Sequence, residues 1–415
     1  MTALSLLAYI SAAILFQVAV GVSVALWRRA HVAVPATPIA PVQRSSERLA
    51  WGGWRDFRVA RREFEDAARS QCSFYLEPSD GVALPPFKPG QYLTFQLVCG
   101  ATDARGVAAP RSVIRCYSLS DKPNASTYRV TIKRATAPPN RPELPPGVSS
   151  SFFHDSVKVG DVLSVKAPAG NFYINGDSAT QAVFIAGGIG VTPMVSMLQW
   201  CLAEQPTRIV HLYYGVRCSA DHAFKAQLAG MAASNRNFRL HVVYSNPLSG
   251  DVVGTDFQHN GYIDIDLLRR TLPHGNHEFY VCGPSAMMES VVPSIVARGV
   301  PMSDVHFEAF GPATLRLPQT PEMVVAKDER VEADIRFART GRTITWDGSD
   351  ASLLEFAERN GIPVESGCRS GSCGSCETKL VSGEVRYSHP PDFEVSPGSC
   401  LMCVAKPVSA LVLEA

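Results

Sequence analysis

Short apolar runs with strand-like composition fill the stretch from residue 51 to about residue 175. Four of these runs are rich in β-branched and aromatic residues, and Gly and Pro separate them, as expected for strands joined by turns. They read SQCSFYLEP, QYLTFQLVC, TYRVTIKRA and DVLSVKAPA. This pattern predicts a small antiparallel β-barrel over residues 51–175.

From residue 176 to residue 312 the pattern changes to continuous apolar runs that alternate with helical segments. AVFIAGG, RIVHLYYG, FRLHVVYS and HEFYVCGP have the composition of strands that are buried on both faces. Buried strands that alternate with helices predict a doubly wound α/β layer. A linker is predicted at residues 313–324.

Residues 325–415 show a third pattern. ADIRFART and ITWDG alternate around a Gly turn, which indicates a hairpin. DASLLEFAERNGI has apolar positions at helical spacing, an Asp/Ser start and Gly361 at its end, so it predicts a short capped helix. The order of hairpin, helix, cysteine-rich loop and further strands resembles the β-grasp of plant-type ferredoxins, which implies a separate C-terminal β-grasp domain at 325–415.

The N-terminal stretch from residue 3 to residue 27 contains no charged residue, and Arg28, Arg29 and His31 follow it. As a helix it would be about 37 Å long, which is enough to cross a bilayer. The sequence therefore predicts a single transmembrane anchor at 3–27, and the charges that follow predict catalytic domains in the cytoplasm. The Pro- and Ala-rich segment 28–50 is predicted to be a linker. The alternatives are a cleaved signal peptide and a buried core helix.

Charge and cysteine content narrow the possible partners. Lys and Arg number 39 against 38 Asp and Glu, so no basic field exists to hold nucleic acid. The 11 cysteines are odd in number and scattered, unlike a disulfide framework. A reducing compartment is expected, where clustered cysteines are usually metal ligands.

Residues 367–377 read GCRSGSCGSCE and contain such a cluster. Cys368, Cys373 and Cys376 have the C-x4-C-x2-C spacing of plant-type 2Fe-2S sites, with Cys403 or Cys400 as the fourth ligand. A zinc site would favour paired C-x2-C knuckles, and the chain has one pair. We expect the glycines of this loop to supply positive φ angles, so that backbone N–H groups turn towards the sulfurs. They are Gly367, Gly371 and Gly374.

Several motifs occur together in one order: RCYSLS, AGGIGVTPM, YYGVRCSADHAF and YVCGPSAMM. With them the chain resembles the ferredoxin–NADP reductase superfamily, and within it the flavohaemoglobin-like reductase domain, fused to a C-terminal plant-type ferredoxin domain. The resemblance covers nearly everything after residue 50. It implies FAD, NADH (with NADPH possible) and a 2Fe-2S cluster as cofactors. CLMCVAKP resembles the end of reductase ferredoxin domains, which favours Cys403 over Cys400 as a ligand.

The resemblance also implies the flavin-binding residues. Tyr117 would lie on the isoalloxazine ring, Ser118 near flavin N5 and Arg115 at the pyrophosphate. GVSSSFFHD matches a segment that holds the FAD pyrophosphate, which favours FAD over FMN; a Pro-rich insertion at 135–146 precedes it. The implied set is Tyr92, Arg115, Cys116, Tyr117, Ser118 and Ser150.

A second implied set binds the nicotinamide nucleotide or packs beside the flavin. AGGIGVTPM would let the pyrophosphate approach backbone N–H groups at a helix start. Because hydride transfer needs orientation more than a general base, the residues implied at the reacting centre are positioning residues: Ser118, Thr192, Cys282 and Glu308. The binding set is Gly187, Gly188, Ile189, Gly190, Val191, Thr192, Arg217, Cys282, Gly283, Pro284, Phe310 and Gly311. Asp221 lies close to Arg217 in the sequence, which favours NADH over NADPH.

Together these features predict a membrane-anchored reductase that passes electrons from NADH through FAD and a 2Fe-2S cluster to a partner. The expected partner is a membrane oxygenase, hydroxylase or desaturase. The alternatives are an NADH:quinone-type dehydrogenase and an anchored redox sensor that is not an enzyme. A self-contained flavohaemoglobin activity is not expected, because no globin-sized segment precedes the reductase.

Overall fold

A computed structural model describes residues 50–102, 108–137, 142–143, 145–310, 332–369, 371, 373–388, 391, 393 and 395–415, together with Gln17. The chain divides into two compact units, Met1–Arg48 and Leu49–Ala415. The architecture below is that of the second unit.

Six antiparallel strands form the first sheet, in the order β4-β3-β6-β1-β2-β5. A bridge between Leu119 and Val130 joins its two ends, so the sheet closes as a barrel. Helix α1 (Val148–Asp155) places Phe153 in the barrel core, against Phe74 and Phe95 at ring-centroid distances of 5.1 and 5.4 Å. The strands are β1 (Arg55–Phe64), β2 (Gln71–Pro78), β3 (Tyr92–Thr102), β4 (Ala108–Ser118), β5 (Tyr128–Lys133) and β6 (Val162–Ala169).

The four runs that predicted strands correspond to β2, β3, β5 and β6. Strands β1 and β4 were not predicted from their patterns. Strand β1 is rich in charged residues because its outward positions form ion pairs, such as Arg58 with Glu77 at 2.9 Å. A segment in which about half of the residues are charged does not show a strand pattern before the oppositely charged residues on the neighbouring strand are known.

Six parallel strands form the second sheet, in the order β10-β9-β8-β7-β11-β12. Helices α2 and α3 contribute to the apolar core that includes Leu198 and Leu228, and α4 and α5 to the one that includes Leu268 and Val292. A 3-10 turn, Gly188–Gly190, leads from β7 into α2. The strands are β7 (Gln181–Gly187), β8 (Val210–Val216), β9 (Phe238–Tyr244), β10 (His259–Asn260), β11 (His277–Gly283) and β12 (Val305–Ala309). The helices are α2 (Val191–Glu204), α3 (Lys225–Ser234), α4 (Ile265–Thr271) and α5 (Ser285–Val296).

The C-terminal part has a five-stranded sheet, in the order β14-β13-β19-β15-β17, and a two-stranded one, β16-β18. The predicted hairpin is β13–β14, and the predicted helix is α6 (Leu353–Arg359). Ser352 caps α6 by accepting the N–H of Glu355, and the Glu355 side chain accepts the N–H of Ala351 at 2.8 Å. The strands are β13 (Ala333–Phe337), β14 (Arg342–Trp346), β15 (Glu377–Ser382), β16 (Val385–Tyr387), β17 (Ser399–Leu401), β18 (Ala405–Pro407) and β19 (Leu411–Leu413).

The predicted membrane anchor at 3–27 lies outside the described residues, apart from Gln17. Within the part of the chain that the structure describes, no helix is long and apolar enough to cross a membrane. On this finding the predicted single-pass membrane location is wrong.

A row of four histidines crosses one face of the parallel sheet. The ring centroids of His259 and His241 are 5.8 Å apart, those of His241 and His211 are 6.1 Å apart, and those of His211 and His277 are 6.4 Å apart. Neither ring nitrogen of His211 has a hydrogen-bond partner among the described residues. Burial lowers the pKa of His211 and of His241 to about 4, and the neighbouring histidines and Arg239 add to this effect. These rings are therefore neutral in the folded protein at neutral pH.

The histidine row predicts loss of stability in acid. A histidine whose pKa is depressed by folding stabilises the protein fully above its unfolded pKa of about 6.5. That contribution is lost as the pH falls from there through the folded value of about 4. Replacing His211 by Leu removes one such group. We expect urea unfolding of H211L to lose roughly 1.4 kcal/mol less per pH unit across this window than the wild type does.

The control is His274→Gln, which removes an exposed histidine from the loop before β11. Urea midpoints between pH 7.5 and pH 4.5 should fall in parallel for H274Q and the wild type. The same fall for H211L would show that His211 is not neutral in the folded state.

Candidate functional site

The carboxyl end of β4 carries the predicted flavin motif, paired with the start of β3. Tyr92 is opposite Ser118 and Thr94 is opposite Cys116 in the register of these strands. Tyr92 is buried, and its Oη has no hydrogen-bond partner among the described residues. Its ring lies against Gly170, where a Cβ would come within 2.7 Å of the ring. A buried phenol with an open hydroxyl suits a bound group that offers a hydrogen bond.

Tyr117 points to the other side of β4. It packs edge-on against Phe95 and Phe153, and its hydroxyl hydrogen-bonds Ser149 Oγ at 2.7 Å. Burial is the main reason that the pKa of Tyr117 rises to about 12, so the phenol stays protonated. The sequence did not indicate Ser149, because its partner is 32 positions away in the chain.

The predicted pyrophosphate-binding segment is the first turn of α1. Ser150 Oγ already accepts the N–H of Ala135 and donates to the carbonyl of Gly147, both at 3.1 Å. Its hydroxyl therefore holds the turn. The neighbouring Ser151 Oγ is buried without a partner in the described part of the chain. An open hydroxyl at the start of a helix fits an anion such as the FAD pyrophosphate.

The Gly-rich turn after β7 approaches β11 closely. A Cβ at Gly190 would overlap the carbonyl of Cys282, and one at Gly187 would come within 2.6 Å of the ring of Pro284. Gly188 has a φ of 52°, and a Cβ there would be 4.0 Å from Lys133 Nζ. The turn thus presents bare backbone at the start of α2, beside one lysine. That arrangement fits a dinucleotide pyrophosphate.

Three of the predicted positioning residues lie near this turn. Thr192 is buried in the first turn of α2 and donates to the carbonyl of Ile189 at 3.0 Å. Cys282 and Glu308 are opposite each other in β11 and β12. Burial, and then Glu308, raise the pKa of Cys282; the thiol is 0% exposed and stays neutral. Ser118 belongs to the barrel, at the end of β4.

The remaining residues predicted to contact the nucleotide or the flavin are Phe310, Gly311 and Arg217. Phe310 is 40% exposed just after β12, whereas Gly311 lies outside the described residues. Arg217 is 74% exposed at its side chain and forms an ion pair with Asp221 at 2.6 Å. The hydrogen bond and charge of Asp221 raise the pKa of Arg217. The guanidinium of Arg217 is therefore held by the carboxylate of Asp221.

The four predicted cluster ligands form two pairs. Within the first, the N–H of Cys368 donates to Cys373 Sγ at 3.2 Å, and the N–H of Cys373 donates to Cys368 Sγ at 3.3 Å. Within the second, a hydrogen bond between the two thiols lowers the pKa of Cys376 and raises that of Cys403. Cys400 is separate from both pairs. It is fully buried in the domain core, and burial raises its pKa to about 12.

The backbone of this loop corrects one prediction. Gly371 and Gly374 have φ angles of 77° and 72°, as expected, but Gly367 does not have a positive φ, and Arg369 does, at 59°. Gly367 is needed for space instead, since a Cβ there would be 2.7 Å from Cys373 Sγ. Glycine is thus required at position 367, as predicted, but the reason is the close packing of the loop and not the φ angle.

These two pairs fit the ligand set of a two-iron cluster. A 2Fe-2S cluster with four cysteine ligands takes two thiolates at each iron. The two pairs and the N–H groups directed at sulfur match that requirement, so the residues fit the cluster.

The cluster loop meets the flavin side of the barrel. Arg115 Nη1 donates to the carbonyl of Ser366 at 3.4 Å. Burial raises the pKa of Tyr92, and the thiols of Cys116, Cys368 and Cys373 raise it further. The residue predicted to meet the FAD pyrophosphate, Arg115, thus contacts the ferredoxin part in this structure.

Two segments match known domain families. Residues 184–292 match the oxidoreductase NAD-binding domain, and residues 335–408 match the 2Fe-2S iron-sulfur cluster binding domain. The flavohemoprotein of Rhizobium meliloti (strain 1021) is 36% identical over 274 residues, which is 65% of this chain and 64% of that protein. The chain therefore spans slightly less than two thirds of that relative.

Two solved structures are similar over larger shares of their own chains. The flavohem-like FAD/NAD binding domain of nitric oxide dioxygenase from Vibrio cholerae O1 biovar El Tor has 31% identity and a TM-score of 0.53, covering 62% of this chain and 99% of that one. Phthalate dioxygenase reductase, described as a modular structure for electron transfer from pyridine nucleotides to [2Fe-2S], has 26% identity and a TM-score of 0.51. It covers 88% of this chain and 98% of its own.

The predicted multidomain reductase with a C-terminal ferredoxin domain is confirmed by these matches, as are the predicted oxidoreductase class and the cofactors FAD, NADH and 2Fe-2S. The chain belongs to the flavohaemoprotein-like FAD/NAD-binding reductases, extended by a 2Fe-2S ferredoxin domain.

Proposed function

We propose that this reductase supplies single electrons to a separate oxygenase component, such as a hydroxylase or a desaturase. The observation that carries the proposal is the similarity to phthalate dioxygenase reductase, which extends over 98% of that chain and includes the ferredoxin part. That protein is a reductase of a dioxygenase by name. Two thiol pairs that suit a one-electron carrier, attached to a flavin and nicotinamide module, serve the same purpose here.

The side chains around the nicotinamide site position the reactants. FAD, when bound, accepts two electrons from NADH, and the cluster accepts one electron at a time. The bare backbone at Gly190 would hold the dinucleotide phosphates, and Thr192 borders the same turn. Cys282 and Glu308, on neighbouring strands, would form the wall beside the nicotinamide. Neutral Cys282 makes this wall compact and dry, which favours a fixed orientation.

The pairing of Arg217 with Asp221 supports NADH as the donor. A 2′-phosphate would need an arginine that is free to bind it bidentately. Here the carboxylate of Asp221 occupies Arg217 Nε at 2.6 Å and would repel a phosphate. Asp221 is itself held, because its carbonyl accepts Gln71 Nε2 of the barrel at 2.9 Å. The 2′-phosphate of NADPH would therefore find the Arg217 guanidinium already paired and would be repelled by the Asp221 carboxylate.

The proposal is tested with a variant that loses the 2Fe-2S cluster but keeps the flavin. Cys373→Ser should abolish the 2Fe-2S absorption and EPR signals but retain most of the NADH-to-ferricyanide activity, because the flavin and nicotinamide residues lie on other strands. Electron delivery to an added oxygenase component should then fall to background. If wild-type protein with a full cluster reduces only quinones and no oxygenase component, the oxygenase proposal is wrong. Loss of ferricyanide activity in C373S with FAD still bound would contradict the order of carriers.

The two candidate fourth ligands make a matched pair of variants. Cys403 hydrogen-bonds Cys376, whereas Cys400 is enclosed in the core. We expect Cys403→Ser to lose the reduced-cluster EPR spectrum or shift its g values, and Cys400→Ser to leave it unchanged. An unaltered spectrum in C403S, together with a lost one in C400S, would reverse the assignment.

Removing the charge of Asp221 should change the nucleotide preference. Asp221→Asn frees Arg217 and removes the repulsion, so the NADPH/NADH ratio of kcat/KM should rise by roughly tenfold, equivalent to about 1.4 kcal/mol. Steady-state ferricyanide assays with both nucleotides measure this ratio. Arg217→Gln in the same background should cancel the gain. A ratio that stays within twofold of the wild-type value in D221N would contradict the role of this pair.

A further inference from the structure

A bidentate ion pair ties the cluster loop to helix α6. Arg369 directly follows the predicted ligand Cys368, and its guanidinium donates to both carboxylate oxygens of Glu358, at 2.8 and 2.6 Å. Such a pair fixes the orientation of the two side chains as well as their distance. Arg369 has a φ of 59°, a conformation that costs free energy in any residue with a side chain and none in glycine. An arginine at such a position points to a use for its guanidinium.

The same guanidinium reaches the residue that contacts the barrel. Arg369 Nη2 donates to Ser366 Oγ at 3.3 Å. The carbonyl of Ser366 accepts Nη1 of Arg115 in β4 at 3.4 Å. Arg115 Nη1 also donates to the carbonyl of Ile114 at 2.7 Å, which holds the Arg115 side chain along its own strand. A row of hydrogen bonds therefore joins α6, through Ser366, to the strand that carries the predicted flavin motif.

The position of Ser366 affects the predicted cluster ligands. Gly367 lies between Ser366 and Cys368, and a Cβ at Gly367 would be 2.7 Å from Cys373 Sγ. The N–H of Cys368 donates to the same sulfur at 3.2 Å. In a loop packed this closely, Ser366 cannot shift without moving the thiols beside it. The alignment of Ser366 with Arg115 thus sets the alignment of the cluster site with β4.

We propose that Glu358 and Arg369 are positioning residues for electron transfer from the flavin to the cluster. Their ion pair holds Ser366 with its carbonyl towards Arg115, and so fixes the cluster site against β4. The step transfers one electron from reduced FAD to the oxidised cluster, NADH supplies the electrons, and neither residue gains or loses a proton. The inference deepens the proposed function and rests on it only for the order of the carriers.

Because the two partners carry opposite charges, their separate removal distinguishes position from driving force. Loss of the positive charge of Arg369 disfavours the more negative, reduced cluster, whereas loss of the negative charge of Glu358 favours it. An effect through charge alone would therefore slow cluster reduction in R369Q and speed it in E358Q. Loss of positioning slows it in both variants.

The test uses the full-length holoprotein and three variants: Glu358→Gln, Arg369→Gln and the control Arg359→Gln. Arg359 is the neighbour of Glu358 in α6, and its ion pair with Asp350, at 2.6 Å, lies outside the cluster loop. Stopped-flow absorption measures the rate at which NADH reduces the cluster. EPR during a dithionite titration measures the cluster potential. Amide hydrogen exchange of residues 362–369, followed by mass spectrometry, reports the order of the loop without turnover.

We expect reduction of the cluster by NADH to be about tenfold slower in both E358Q and R369Q. The reduction equilibrium should move about twofold to threefold in opposite directions, or about 20–30 mV at 59 mV per tenfold change for one electron. Exchange of residues 362–369 should be at least threefold faster in both variants. NADH-to-ferricyanide activity should stay within twofold of the wild type, because the flavin reduces ferricyanide directly. R359Q should match the wild type in every measurement.

Cluster reduction rates that change in opposite directions, or that both stay within twofold of the wild type, would overturn the inference. Unchanged hydrogen exchange in both variants would overturn it as well. If R369Q fails to assemble a cluster, E358Q decides the question by the same criteria, since Glu358 belongs to α6 and not to the loop.

The outcome is separable from that of the proposed function. If the wild type delivers electrons to no oxygenase component while E358Q and R369Q still slow cluster reduction, only the proposed function fails. If the wild type supplies an oxygenase component and the two variants reduce their clusters at the wild-type rate, only the inference about the ion pair fails.

Discussion

Hydrogen bonds between the barrel and the parallel sheet fix how the residues predicted to bind flavin and nicotinamide face each other. The barrel loop before β2 is bound to the turn after β8: the N–H of Ala68 donates to the carbonyl of Ala220 at 2.9 Å, and Gln71 Nε2 donates to that of Asp221. Across the same junction, Ser196 of α2 donates to the carbonyl of Asp121 at 2.7 Å. Hydrogen bonds that are buried have few alternative partners, so they orient the domains more strictly than apolar contact does.

This junction matters because hydride transfer tolerates little error in distance or angle. Helix α2 begins at the Gly-rich turn and carries Ser196 one turn farther on, so the same helix contacts the barrel and opens the nucleotide site. The turn after β8 does the same on the other side, since it carries both Asp221 and the partner of Gln71. If Asp221 sets the nucleotide preference as proposed, that preference and the alignment of the domains depend on the same turn.

The ferredoxin part obeys a different constraint, which is the charge of the group it would hold. Its loop directs backbone N–H groups at two sulfurs and encloses the thiols, which lowers the cost of a negative cluster in a buried site. The loop also contacts β4 through Arg115. The same strand carries Tyr117 and Ser118, which are predicted to contact the flavin. Strand β4 therefore lies beside the residues predicted to hold each of the two redox groups. The proposed order of carriers follows from this position of β4.

The sequence by itself determined the features that are local. The spacing of Cys368, Cys373 and Cys376, the capped helix α6 and the composition of the buried parallel strands each depend on residues within a few positions of one another.

Only the tertiary structure decided the pairings between distant residues. It joined Tyr117 to Ser149, Gln71 to the carbonyl of Asp221, and Arg115 of the barrel to the carbonyl of Ser366 in the cluster loop. Periodicity and motif spacing report the neighbours of a residue along the chain. They carry no information on which side chains meet when the barrel, the parallel sheet and the ferredoxin part pack together, because those contacts are set by the packing of whole domains.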